Sequence, residues 1–520
     1  MSVASIMWVD DEIELLEAHK LFLEMRGYTI VTFTNGFDAL SQLNEHPFDL
    51  VLLDESMPGL SGLEIVSRIR KIKPHLPIVL VTKNETESLM EEAIGSQITD
   101  YLIKPVNPNQ VLLALKRILD NKKLVSRRTT AAYLQQFRTM FDGIDNQTDH
   151  TGWIEIYRQL VFWELEMEKS EEPEMPEVHR QQMKEANALF FKFIIRNYAS
   201  WINKKDQFPP VLSHTLFKDK VKPFLQPDKP LVWVVLDNFR LDQWKTIAPL
   251  LIEYFHTAAD DCYFSILPTA THYCRNAIFA GKLPVELDKL FPEQWKKEVD
   301  EAGKNTEEAF FLKHQLDAAG LKDLSWHYQK VSSHAEALKL SEQAFNLLDY
   351  NLSVVVYNFV DMLSHARSEL DVLKELASDA TAYRSITRSW FAHAPLFHAL
   401  KKISEKNCTV ILTTDHGSLQ VKNPVRVTTD KQASNNLRYK NGRNMDFDPR
   451  NFLVFRQPEQ AGLPRESIHS SFIFAGNEDY VCYPNQFNHY ASLYRNSFQH
   501  GGVSLEEMVV PVVRLVSKSG

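Results

Sequence analysis

The chain has 520 residues, enough for roughly three domains, with 44% hydrophobic and 24% charged residues, the balance of a globular protein whose core needs no disulfide support. A formal net charge of −9 excludes a generic nucleic-acid-coating surface. The four cysteines form no C-x-x-C pair, and the longest unbroken apolar run, Leu231–Leu236, is far short of a membrane span. The cysteines read as reduced thiols, and the acidic opening MSVASIMWVDDE shows no signal-peptide pattern, so the expected location is cytoplasmic.

In chain order, residues 1–119 alternate short apolar runs with amphipathic segments. SIMWV, YTIVTF, DLVLLD, PIVLVT and DYLIK read as strands. Leu15, Leu16, His19, Leu21, Phe22 and Met25 recur at helical spacing after the first of them. Five strands with intervening helices predict a doubly wound parallel sheet, so the expected class is α/β.

Residues 120–208 show almost no strand signal and read as an all-helical connector. His150–Ser170 and Glu177–Lys205 carry apolar residues at helical spacing, and EEPEMPE breaks between them. The stripe of Phe190, Phe193, Ile194, Tyr198 and Trp201 reads as a packing face rather than a cofactor box.

Residues 209–520 return to alternation, with strands expected at Leu231–Asp237, Ser353–Asp361, Cys408–Asp415, Asn451–Arg456 and Met508–Val516. Between Ser418 and Arg450 lies a polar insertion with seven Lys/Arg against three Asp. A structureless loop of that length is usually functional or disordered. It reads equally as a basic rim that grips a nucleotide-like polyanion or as a solvated flap.

The strand ends carry the chemistry. In the first region Asp10, Asp11, Asp54 and Lys104 fall at the carboxyl edge of one sheet, where open α/β sheets place their sites. Three carboxylates together call for a divalent cation, and an all-oxygen set suits Mg²⁺. Thr82 adds a hydroxyl to the same edge.

The stretches VDDE, LLDESMPGLSGLE, LVTKN and YLIKP, in this order, resemble the receiver domain of two-component response regulators. The resemblance implies that Asp54 accepts a phosphoryl group. Mg²⁺ would be held by Asp10, Asp11 and Asp54, helped by the Ser56 carbonyl. Thr82 and Lys104 would bind phosphoryl oxygens, and Tyr101 would be the aromatic that swings inward on activation. Lys83 departs from the small residue expected after Thr82 and implies restricted access and altered autodephosphorylation.

In the last region Asp237, Asp361, His365, Asp415, His416 and His500 sit at or near strand ends. Mixed Asp/His ligands favour zinc or manganese, and six donors suit two neighbouring ions that clamp a phosphoryl displacement. Thr271, on the small-residue turn of LPTATHYCRNAIFAG, offers a hydroxyl nucleophile at a helix N-terminus. His272, His393 and His398 read as structural.

VLDNFRLDQW, LPTATHYCRNAIFAG, FVDMLSH, TTDHG and QHGGVSLEEMVVPV together resemble the PglZ branch of the alkaline phosphatase superfamily. The resemblance implies two Zn²⁺, one held by Asp361, His365 and His500 and the other by Asp237, Asp415 and His416. Thr271 would bridge them as nucleophile, with preference for diesters. Asn276, Arg438, Tyr439 and Lys440 are the candidate substrate contacts.

A receiver, a connector and a PglZ domain in sequence resemble the response regulators of the type IX secretion system of Bacteroidota. That implies a sensor histidine kinase partner of the PorY type, phosphorylation-dependent homodimerisation through residues 86–119, and an extracytoplasmic-function sigma factor downstream. No helix-turn-helix pattern stands out, so sequence-specific DNA binding is not expected. Two outputs follow: hydrolysis of oligonucleotides or cyclic nucleotides, or a zinc-stabilised adaptor without turnover that docks another protein.

Overall fold

The computed structural model describes residues 4–518 except 47, 74–75, 84–97, 120–132, 134–148, 169–174, 296–304, 359–378 and 430–435. The chain divides into two compact units, Met1–Gln136 and Phe137–Gly520.

In the first unit, β1 (Ala4–Val9), β2 (Tyr28–Phe33), β3 (Leu50–Asp54), β4 (Ile78–Thr82) and β5 (Asp100–Ile103) form one sheet in the order β2-β1-β3-β4-β5. All pairings are parallel. Helices cover both faces, so the central strands read as unbroken apolar runs. Alternate residues feed two cores: Met7, Val9, Val51 and Leu53 on one face, Ile6, Trp8, Leu50 and Leu52 on the other. The helix Gly62–Ile72 begins with a reciprocal cap, in which Ser61 Oγ accepts from Glu64 N (3.3 Å) and Glu64 Oε2 from Ser61 N (2.9 Å). It starts shortly after Asp54 and fixes the loop that leaves the strand end.

The second unit is built on a mixed sheet. β6 (Leu231–Leu236), β7 (Phe255–Phe264), β8 (Trp326–Val331), β9 (Leu352–Tyr357), β10 (Thr409–Thr414) and, far on in the chain, Val509–Ser517 make up its six strands. Before that last strand come β11 (Leu419–Gln420), β12 (Asn423–Arg426), β13 (Tyr439–Arg443), β14 (Phe452–Phe455), β15 (Ser470–Ala475), β16 (Asp479–Cys482) and β17 (Phe498–Gln499), so Val509–Ser517 is β18. The order in the six-stranded sheet is β7-β18-β10-β6-β9-β8, with β10, β6, β9 and β8 mutually parallel and β18 and β7 antiparallel. The parallel strands end together and carry their following residues to one edge.

The strand expected at Asn451–Arg456 forms as β14, which pairs with β15 in a separate three-stranded sheet with β13. The 418–450 insertion is not a structureless flap, because β11, β12 and β13 pair with β17, β16 and β15.

The helices His150–Glu168 and Met175–Ile202 share the core of the C-terminal sheet. The aromatic stripe is a packing face, with Phe190 and Trp201 meeting the Phe264 ring at 6.1 and 5.5 Å. Tyr198 goes further: its hydroxyl accepts from Leu267 N at 2.8 Å and so holds the backbone that leads into Thr271. Among the described residues no helix is long and apolar enough to cross a membrane.

Candidate functional sites

In the first unit, β1, β3 and β4 deliver Asp10, Asp54 and Thr82 to one sheet edge, all buried. Asp10, Asp11 and Asp54 have carboxylate oxygens within 4.8 Å of one another. Lys104 stands between two of them, with Nζ 2.9 Å from Asp10 Oδ2 and 3.1 Å from Asp54 Oδ1. Burial pushes the Asp54 carboxyl up; Lys104 works against this, while Asp10 adds repulsion. For Lys104, burial favours the neutral amine, but its bonds to both carboxylates outweigh that and raise its pKa.

This all-oxygen, net-acidic donor set fits Mg²⁺. Thr82 Oγ1 donates to Glu55 Oε2 at 2.8 Å, Tyr101 is exposed, and Lys83 lies 3.6 Å from Glu12 in an exposed ion pair. The Ser56 hydroxyl lies 3.4 Å from Glu55 Oε2.

In the second unit, Asp237 follows β6 and Asp415-His416 follow β10, and ligand atoms of these three buried residues lie within 4.8 Å of one another. Thr271 opens the helix Thr271–Ala280, which ends on Gly281 in the left-handed region at φ 62°. Its Oγ1 lies 3.2 Å from Asp237 Oδ1 and 3.0 Å from His416 Nε2. His416 Nδ1 faces its neighbour's carbonyl, Gly417 O, at 3.0 Å. A proton on Nδ1 satisfies that carbonyl and leaves Nε2 a lone pair toward Thr271 or a metal. The His500 ring stacks on His416 at 4.3 Å, and its Nδ1 meets Thr269 O at 3.1 Å. A Cβ on Gly417 would lie 1.9 Å from the Glu506 carbonyl oxygen, which explains the glycine after His416.

Asp361 and His365 lie outside the described residues. Asn358, just after β9, reaches the same edge, where its Oδ1 accepts from Arg275 Nη1 at 3.0 Å.

Arg275 is the residue that the sequence reading missed. Its guanidinium spans the two ligand carboxylates, with Nη2 2.5 Å from Asp237 Oδ1 and 2.9 Å from Asp415 Oδ2. Glu308 Oε1 lies 3.5 Å from Nη1, and Lys330 closes the network at 3.1 Å from Glu308 Oε2. Burial, the largest single influence, raises the Asp415 carboxyl; the charge of Arg275, the neighbouring His416 and the bond from Asn238 N together outweigh it and hold Asp415 below the usual carboxylate range. The signal was available: Arg275 is four residues after Thr271, one turn along the same helix face. Two carboxylates, an imidazole and a hydroxyl fit zinc, and a further histidine ring lies against the set.

The candidate substrate contacts are buried. Arg438 is fully buried and pairs with Glu507 through Nε (3.1 Å) and Nη2 (2.6 Å). Tyr439 and Lys440 are buried in β13. Asn276 Nδ2 donates to His272 O at 2.8 Å and to Asn305 Oδ1 at 3.2 Å. These four residues form no exposed basic rim.

Comparison with known proteins finds three family matches along the chain. Residues 6–116 match the response regulator receiver domain, residues 123–202 the PorX response regulator linker domain, and residues 216–515 the BREX system PglZ alkaline phosphatase-like domain. Among curated relatives, the chain is 32% identical over 150 residues to the transcriptional regulatory protein CpxR homolog of Haemophilus influenzae, covering 28% of this chain and 63% of that protein. It is 34% identical over 114 residues to the transcriptional regulatory protein ResD of Bacillus subtilis, covering 22% of this chain and 47% of that protein. The chain thus spans less than two thirds of the length of either. A solved receiver domain from Clostridium thermocellum is 30% identical and is covered over 99% of its length by 24% of this chain, with a TM-score of 0.23.

Proposed function

Since the chain belongs to the PglZ alkaline phosphatase-like family through residues 216–515, we propose that its C-terminal region is a zinc phosphodiesterase governed by phosphorylation of Asp54. The observation that carries the reading is the Thr271 hydroxyl, shared between Asp237 Oδ1 at 3.2 Å and His416 Nε2 at 3.0 Å. A hydroxyl in a cluster of potential metal ligands supports a nucleophilic role.

Asp237, Asp415 and His416 would hold one Zn²⁺, and Asp361, His365 and His500 the other. Bound zinc would lower the pKa of the Thr271 hydroxyl and stabilise charge on the phosphoryl oxygens. Thr271 Oγ1 bonds to phosphorus as its proton passes to a neighbouring acceptor, and the ester's alcohol leaves. Water then takes the phosphoryl group from Thr271 and restores the hydroxyl. Arg275 positions the two carboxylates throughout. A threonine nucleophile favours diesters, and oligonucleotides or cyclic nucleotides are the natural compounds of that class.

Upstream, the receiver implies a histidine kinase donor for Asp54, with Mg²⁺ at Asp10, Asp11 and Asp54. Phosphorylation would promote a homodimer through residues 86–119, of which 86–97 lie outside the described residues. Control of type IX secretion through a sigma factor and a cytoplasmic location complete the reading.

The test is hydrolysis of bis(p-nitrophenyl) phosphate and p-nitrophenyl phosphate by zinc-loaded protein, with and without beryllofluoride on Asp54. Diester turnover is expected, altered by beryllofluoride. Thr271→Val should lose about a thousandfold in kcat while keeping its zinc content. Full zinc occupancy with no diester turnover in the natural sequence would overturn the reading and leave the adaptor role.

A further inference from the structure

The helix Met175–Ile202 lies in the segment that matches the linker family, yet two of its polar side chains are buried against loops of the proposed hydrolytic centre. Asn187 is 2% exposed and Tyr198 is fully buried. Eleven residues make three helical turns, so the two share one face, about 16 Å apart along the axis.

Asn187 spends both ends of its amide on one short helix, Leu505–Met508. Its Oδ1 accepts from Leu505 N at 2.8 Å, and its Nδ2 donates to Glu506 Oε2 at 2.9 Å. Leu505 N is the first amide of that helix and has no acceptor within it, while Ser504 Oγ serves Glu507 N at 3.1 Å. Asn187 thus completes the cap from a distant part of the chain. The capped helix in turn holds both loops that carry metal-site histidines. Glu507 O accepts from Gly417 N, next to His416, at 3.1 Å. Glu507 Oε1 accepts from Gly502 N, two residues after His500, at 2.8 Å. Phe191 fills the same helix face: a Cβ on Gly476 would lie 2.7 Å from its ring, and Gly476 bridges Val503.

Tyr198 grips the other side. Leu267 N donates to its hydroxyl at 2.8 Å. Two residues on, Thr269 Oγ1 donates to Gly502 O at 2.9 Å and accepts from Gly501 N at 3.0 Å. The loop before Thr271 and the loop after His500 are therefore tied to each other, and both are tied to one helix. Polar groups this deeply buried hold their geometry, because leaving one of these bonds unmade is costly.

We propose that Asn187 is a positioning residue: through Leu505–Met508 it sets His416 and His500 at the spacing that binds metal, while Tyr198 sets Thr271 against them. A rotation or slip of the connector helix moves both loops together, so this helix is where the centre can be adjusted. The inference rests on the metal centre of the reading above and extends it to regulation.

The test compares zinc affinity, by competition with a chromogenic chelator, and the visible spectrum of the Co²⁺-substituted, full-length protein. Asn187→Leu keeps the volume and removes both bonds; Asn187→Ala, smaller and helix-favouring, guards against a folding failure. Either should bind zinc about tenfold more weakly and shift the cobalt bands. Tyr198→Phe should keep its zinc affinity and lose about tenfold in kcat for bis(p-nitrophenyl) phosphate, with KM unchanged. Ile194→Ala, a buried apolar change on the same helix, should lower the denaturation midpoint and leave zinc affinity and spectrum as they are. Affinity and spectrum unaltered in both Asn187 variants, or an equal loss of affinity in Ile194→Ala, would overturn the proposal. Full zinc binding without turnover by the natural sequence would sink the diesterase reading and leave the Asn187 comparison to decide this one.

Discussion

The two sites solve one electrostatic problem in two ways. In the receiver, Lys104 spans Asp10 and Asp54; in the C-terminal region, Arg275 spans Asp237 and Asp415. Each cation offsets the repulsion of carboxylates gathered at a sheet edge. The Lys104 side chain is 12% exposed, and its ammonium is a point charge on a flexible stem. It can follow Asp54 when a phosphoryl group is added. Arg275 is 1% exposed, planar and held by Asn358 and Glu308 as well. It is a fixed brace that sets the carboxylates before any ion arrives. Under the proposed functions, a phosphorylation site keeps its counterion movable and a hydrolytic site keeps it rigid.

The sharpest way to break this comparison is to remove the brace. Arg275→Met leaves Asp237 and Asp415 buried without their cation and should cost about 3–5 kcal/mol in metal-free protein, read by chemical denaturation. Zinc should restore part of the loss, because the ion supplies the missing charge. A variant as stable as the natural sequence would show that Arg275 is no brace.

Lys104→Met is the parallel change in the receiver and should cost less, about 1–2 kcal/mol, since water reaches that site. Mg²⁺ should bind more tightly to the variant by calorimetry, because a competing cation is gone. Weaker Mg²⁺ binding would contradict a counterion role for Lys104.

Glu506 provides a smaller test outside the two ligand sets. Burial pushes its carboxyl up to about 7, so the folded protein keeps this proton to a higher pH than the unfolded chain does. The folded state then binds more protons, and stability falls as pH rises from the ordinary carboxylate range through about 7. Glu506→Gln should therefore stabilise the protein by about 1 kcal/mol at pH 8, and the two should converge near pH 4. Denaturation midpoints at the two pH values check it; a variant equally unstable at both would rule out the ionisation.

Much of both sites was legible because hydrophobic strands ended abruptly in acids. VLLD and LTTD announce a buried strand and the residue at its carboxyl edge in one reading. The five receiver strands were legible for the same reason, since both faces are buried. β7 and β8 were not: FHTAADDCYF and WHYQKV lie at the sheet's two edges, and their polar residues hide the period of a strand. The 418–450 segment misled because its strands are short and polar, and what buries them is pairing with chain far ahead. Arg438 read as part of a basic rim because composition counts charges and not partners; Glu507, its counterion, lies 69 residues on. Arg275 was recoverable from helical spacing, but only by asking which side chains share a face with Thr271.

The account rests most heavily on Thr271 as the nucleophile. Zinc-loaded protein mixed with bis(p-nitrophenyl) phosphate, quenched in acid during turnover and digested, should yield a peptide from Leu267–Gly281 carrying a p-nitrophenylphosphoryl group on Thr271, absent from Thr271→Val. Diester turnover that survives in Thr271→Val, with no such adduct on the natural sequence, would contradict it.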